Sequence, residues 1–326
     1  LLFSLEVSFI REEKEKIKHS GTGRAAWMKM RPMSLYESGE SNGTVSLADL
    51  FEGRCQKAYS ANSLDINKIA YLICRGGWPV ALRMTERAAL RQSYNYIDAI
   101  AKEDISSVDN VKRDSDFTKR LLRSYARAQG SQSTISTIHA DLSANGETSL
   151  TEETISAYLA ALRKLFVIED SRAWNPNLRS KTAIRTSDTR YFVDPSIAVA
   201  ALGIGPNDLI YDLNTMGLLF ETLCVRDLRV YADALDGQVY HYRDKSGLEC
   251  DAVIHLKNGS YGLVEVKLGG EKLINEGIQN LKSLSSKIDT EKMKQPSFKM
   301  VITGVGDYAY QTEDGIFVVP IGALKQ

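Results

Sequence analysis

The chain has 326 residues, 43% apolar and 25% charged. That is long enough for two or three domains with their own cores, in the proportions of an ordinary globular protein. The 41 Lys and Arg residues balance 41 Asp and Glu, so no global basic field draws nucleic acid, and such a partner has to be met by a local patch. Cys55, Cys74, Cys224 and Cys250 lack CxxC spacing and sit among apolar residues, which excludes a zinc or disulfide scaffold and fits reduced core thiols in a cytoplasmic protein.

No apolar run reaches membrane-spanning length. The opening "LLFSLEVSFI" has neither a basic leader nor a small-residue cleavage site, and it lacks an initiator Met, so the sequence reads as a fragment or a trimmed chain without a signal peptide. Residues 1–58 hold a strand-like start, the charged run "REEKEKIKHS", the turn "GTGR" and the extended "WMKMRPMSLYE", too little alternating structure for a domain. Residues 62–110 read as helices interrupted by "RGGWPV", where two glycines and Pro79 stop one helix before the next. Helices follow at 115–129, 132–143 and 149–165. The last opens on a capping box of Ser149 and Glu152 and carries Ile155, Leu159, Leu162 and Phe166 along one stripe. An extended "FVIEDSRAWN", a polar loop and the strand "RYFVD" complete the outline of a winged helix. From residue 196 the pattern predicts a helix over 213–235, strands near 239–243, 249–256 and 261–268, a helix near 272–288, and strands near 298–303 and 316–320. This last block is an α/β unit with an antiparallel hairpin at its centre.

The strand "YGLVEVKLGG" places Val264, Val266 and Leu268 on one face and Glu265 and Lys267 on the other. Asp251, in "GLECDAVIHL", lies on the preceding strand across a turn marked by Asn258-Gly259. Two carboxylates and a lysine on adjacent strands are what metal-dependent phosphodiester hydrolysis uses. Carboxylates hold a hard divalent cation, and lysine stabilises charge or orients the nucleophile. A solvated strand face with a salt bridge is the competing reading. For Asp251 and Glu265 to face one another their numbers must average to a residue, 258, so the hairpin needs an odd loop with Gly259 left-handed, or a bulge within a strand.

Glu221 lies mid-stripe on the helix "MGLLFETLCVRDL", beside Leu218, Cys224, Val225 and Leu228. A carboxylate there needs a metal, a lysine or a buried ion-pair partner. Gln279 reads as a surface residue or a further group at this site. His19, His139, His241 and His255 are scattered and form no nucleophile set; His255 shares strand parity with Asp251.

A helical Glu, then Asp, then ExK across a hairpin, then a helix, is similar to the PD-(D/E)xK (restriction-endonuclease-like) fold. In the wider order, "GGWPVAL", "KEDI", "YFVDPSIAVAALG", "GLLFETLCVRDL", "GLECDAVI" and "LVEVK" resemble the DUF4143 domain over roughly residues 62–268. That domain stands at the C-terminus of a prokaryotic family of AAA-type ATPases, and "HSGTGRAAWMKMRPMSLYES" resembles the last strand region of their ATPase core. The resemblance implies a mixed α/β (α+β) chain: 1–58 a remnant of the ATPase core, 59–112 a helical lid, 113–195 a winged-helix-like module and 196–326 a PD-(D/E)xK nuclease-like domain. It implies Asp251 and Glu265 as Mg2+ ligands, with Lys267 and Glu221 completing the catalytic set. No GxxxxGK[ST] loop occurs, so ATP is not expected as a ligand.

The winged helix carries acids at the start of its recognition helix, "LTEET", which repel phosphates. Basic residues gather later, at Arg163, Lys164, Arg172, Arg179, Lys181, Arg185 and Arg190. They make either a phosphate-tracking patch or a solvated loop of a protein-contact module. The expected function is nucleic-acid processing by a Mg2+-dependent nuclease-like site. The alternative is a non-catalytic DNA- or protein-binding module governed by the missing ATPase core. Other protein subunits are candidate partners, and no membrane is expected.

Overall fold

The structure, a computed structural model, describes residues 29–55, 64–144, 151–175, 187–291 and 293–326. The first described segment makes a turn over 35–39 and then enters β1 (Val45–Ser46) and α1 (Leu47–Phe51), where the Ser46 hydroxyl caps the helix by accepting from Asp49 N at 3.3 Å. Next comes α2 (Ile66–Arg75), capped by Asp65 and closed at Gly76, whose φ of 73° favours glycine. The "GGWPV" break is a tight turn ending in a 3-10 segment, Pro79–Arg83, before α3 (Glu86–Ala99), a π-turn and α4 (Ile105–Ser107).

Three helices follow: α5 (Ser115–Arg127), α6 (Ile135–Ala144) and α7 (Glu152–Lys164). The cap of α7 differs from the sequence expectation. Thr151, not Ser149, stands at the N-cap and accepts from Thr154 N at 3.3 Å, while Ser149 lies outside the described residues. The stripe also ends earlier than expected. Ile155, Leu159 and Leu162 are buried, but Phe166 lies past the helix end at φ 56° and is 41% exposed. After α7 the chain pairs antiparallel at Ile168↔Phe192 and Ser171↔Thr189, so three helices and a strand pair follow one another as the sequence outlined.

The remainder is built from α8 (Pro195–Leu202), α9 (Pro206–Tyr211), α10 (Leu213–Ala234), β2 (Gly237–Arg243), β3 (Glu249–Leu256), β4 (Tyr261–Lys267), α11 (Glu271–Lys287), β5 (Phe298–Thr303), β6 (Tyr310–Gln311), β7 (Phe317–Pro320) and β8 (Leu324–Lys325). The fold is thus mixed α/β. Its sheet has the order β2-β3-β4-β5-β7-β6, antiparallel through β4 and parallel from β4 to β5 to β7. Strand alternation explains the apolar character of β4. Val264 and Val266 pack with Leu219, Phe220 and Leu223 in the core on the α10 side. Tyr261 and Leu263 pack with Ile278, Leu281 and Leu284 of α11 on the other side.

Buried ion pairs lock the helical region to this layer. Arg226 of α10 reaches Asp194 at 3.0 Å and Asp227 at 2.7 Å, with all three side chains nearly inaccessible. Asp194 also accepts from Gly77 N at 2.9 Å, and Asp227 from Leu35 N at 2.9 Å, so desolvated carboxylates hold two distant backbone segments. The segment before α1 is tied to the far end of the chain by β1 pairing parallel with β8 and by Ser41 donating to Leu324 O at 2.6 Å. Among the described residues no helix is long and apolar enough to cross a membrane.

Candidate functional site

The β3–β4 connection meets the geometric requirement. Leu256 N donates to Ser260 O at 2.8 Å, enclosing Lys257, Asn258 and Gly259, and Gly259 has φ 83°. The register Ala252↔Val264 and His255↔Tyr261 centres on Asn258, and the pairing ends at Ala252↔Val264, one residue short of Asp251 and Glu265.

A bulge sits at this point. On the β2 side the pairing moves from Tyr240↔Val253 to Tyr242↔Cys250, so Asp251 and Ala252 together oppose His241. The ladder with β4 also stops here. Val266 N donates to the Asp251 carboxylate at 2.7 Å, and the side chain stands in for the next strand hydrogen bond. His241 bridges to Ala173 beside the strand pair, with Trp174 N donating to His241 O at 2.7 Å.

The four charged residues named from the sequence converge. Lys267 Nζ lies 2.8 Å from Glu265 Oε2 and 3.5 Å from Asp251 Oδ2. Glu265 is 1% exposed, Asp251 17% and Lys267 21%. Asn280 of α11 donates to Glu265 Oε2 at 3.4 Å, while Glu265 Oε1 is buried with no hydrogen-bond partner among the described residues. Gly277 lets α11 settle on β4, since a Cβ there would lie 3.3 Å from Glu265 Cβ and 3.4 Å from Lys267 Cε. Glu221 comes in from α10, half-buried, and accepts a short hydrogen bond from the Tyr191 hydroxyl.

Electrostatics bind the set together. Burial first, and the Asp251 charge second, push the Glu265 carboxyl up to about 8 against the pull of Lys267. The same two causes hold Glu221 well above the usual carboxylate range, opposed by the Tyr191 hydrogen bond and Lys267. Burial alone would depress Lys267, but Asp251 and Glu265 outweigh it and raise its proton affinity. Three carboxyl groups against one ammonium, with an orphaned buried oxygen, suit a hard cation with oxygen ligands. In the described geometry Lys267 supplies the positive charge between Asp251 and Glu265. No group of three or more His, Cys, Asp or Glu residues among the described residues is arranged to hold a metal.

An open groove of about 410 Å³ lies along the outer face of α11, lined by Lys272, Asn275, Glu276, Gln279 and Asn280. Asn280 is its link to the site; Gln279 faces the groove, exposed. His255 is four residues along β3, about 13 Å from Asp251, and accepts from Trp174 Nε1 at 3.2 Å within an aromatic cluster. Of the basic candidates, Arg163 and Arg190 both pair with Asp170, at 2.6 and 2.7 Å, whereas Lys164 and Arg172 are exposed. Arg179, Lys181 and Arg185 lie outside the described residues.

Residues 216–324 match the family DUF4143 (domain of unknown function), and this region contains Glu221, Asp251, Glu265 and Lys267. Residues 66–208 match a separate family, DUF8612, also a domain of unknown function. The match to DUF4143 therefore begins later and ends later than the span of 62–268 read from the sequence, and the helical region with its strand pair is matched by the other family. No curated protein and no solved structure matches the chain.

Proposed function

We propose that the cluster on α10, β3 and β4 is a Mg2+-dependent nuclease-like site acting on phosphodiesters of nucleic acid. The observation that carries this reading is the convergence of Asp251, Glu265 and Lys267 beside Glu221 on an α10–β2–β3–β4–α11–β5 framework. That is the element order of the PD-(D/E)xK fold. Asp251 and Glu265 would hold Mg2+, which when bound polarises a phosphate and acidifies a water. Lys267 orients the attacking water and offsets charge that develops on the phosphate. Asp251, anchored by Val266 N, keeps one carboxylate oriented, and Glu221 supports the metal or Lys267.

Around this site the chain is read as a helical lid (59–112), a winged-helix-like module (113–195) and the nuclease-like domain (196–326). Residues 1–58 are read as the remnant of an AAA-type ATPase core. Lys164 and Arg172, with Arg179, Lys181 and Arg185, are the candidate phosphate contacts.

The second reading is a non-catalytic DNA- or protein-binding module. It is favoured by Lys267 bridging the carboxylates and by Asp170 neutralising Arg163 and Arg190. The test is Mg2+ and Mn2+ titration of the wild-type and Asp251→Ala proteins, followed by cleavage assays on single-stranded DNA, duplex DNA and RNA. Cation binding and cleavage that both disappear in Asp251→Ala support the site. Cation binding absent from the wild type leaves the binding module.

A further inference from the structure

Tyr191 belongs to none of the motifs that mark the site, yet it touches it. Its side chain is 1% exposed, and its hydroxyl donates to Glu221 Oε1. The Arg229 guanidinium lies over its ring, 5.6 Å from the centroid. Its backbone carbonyl accepts from Glu169 N at 2.9 Å, which fixes it within the strand pair after α7. Gly130, just past α5, approaches Glu221 as well, since a Cβ there would lie 3.2 and 3.4 Å from the two carboxylate oxygens. Tyr191 and Gly130 fall in the region matching one family and Glu221 in the region matching the other.

We propose that Tyr191 is a positioning residue which holds Glu221 toward Asp251 and Lys267, so that the three-helix module completes the site on the sheet. This rests on the cation-site reading above. Glu221 is crowded by like charge, and the Tyr191 donor on its Oε1 keeps the carboxylate in place. Partners of this kind, one step removed from a metal, are worth roughly 10–100-fold in affinity.

The experiment is a double-mutant cycle on the full chain with Tyr191→Phe, Glu221→Ala and the double variant. Mn2+ affinity is read by calorimetry and the thermal midpoint by circular dichroism. Tyr191→Phe is expected to weaken Mn2+ binding about tenfold, and the double variant to bind no more weakly than Glu221→Ala alone. A wild-type Mn2+ affinity in Tyr191→Phe overturns the proposal, even with a lowered midpoint, and so do losses that multiply in the double variant. If the wild-type protein binds no Mn2+, the cation-site reading falls separately. The midpoints of the four proteins then decide: non-additive changes uphold the Tyr191–Glu221 coupling and additive ones end it.

Discussion

Replacing Glu265 by Gln tests whether the buried carboxyl at the centre of the site is held under electrostatic stress. Its proton affinity rises from the ordinary glutamate value of 4.5 to about 8, from burial first and Asp251 second. The folded state therefore binds this proton more tightly than the unfolded chain, folding takes up a proton across that window, and stability falls as pH rises through it. At about 1.36 kcal/mol per tenfold change in affinity, the ceiling is about 5 kcal/mol. Because Glu221 and Asp251 share the same field, roughly half of this, about 2–3 kcal/mol, is assigned to Glu265 itself. For a chain of this size that is about 3–4 °C in thermal midpoint. Melting the wild type and Glu265→Gln from about pH 5 to about pH 9 should show the wild type losing ground to the variant as pH rises. Mg2+ should recover the loss in the wild type alone. Parallel midpoint curves for the two proteins would refute the argument.

Asp251→Ala should abolish any Mn2+-induced rise in midpoint and, by leaving Val266 N without its acceptor, should cost about 1–2 kcal/mol in urea denaturation without metal. Asp194→Ala strips Arg226 and Gly77 N of a fully buried partner and should destabilise by about 3–5 kcal/mol, read as a lower urea midpoint. Gly262→Ala drives a methyl to within 2.2 Å of the Phe298 ring, and a loss of about 1–3 kcal/mol is expected in the same assay. Calorimetry with ATP should show no saturable binding.

The residues of the site were legible where local pattern carries long-range geometry. Asn258-Gly259 announced the hairpin, and the midpoint between 251 and 265 fixed its loop. Glu221 was legible because a carboxylate in an apolar stripe demands a partner. Tyr191 was not, since "RYFVD" reads as a plain strand and its hydroxyl finds Glu221 only once that strand is laid against α10. Nor did sequence show Asp170 gathering Arg163 and Arg190, because Arg190 arrives only through the strand pairing. Ser149 and Thr151 both precede acids suited to a first turn, and side-chain chemistry alone does not choose between them. Residues 1–58 read as too little alternating structure for a domain, and the described part, 29–55, is tied to the rest by contacts such as Ser41 to Leu324, 283 residues apart, which no local period encodes.

The extra residue on β3 sets thermodynamics against chemistry. Removing Ala252 would leave one residue opposite His241 and let the β2–β3 ladder run unbroken, a gain in backbone hydrogen bonding. The same deletion moves Asp251 relative to β4 and takes its carboxylate away from Val266 N. A lineage selected for robustness alone would drift toward the shorter, more regular strand. Keeping Asp251 on Val266 N forgoes that gain.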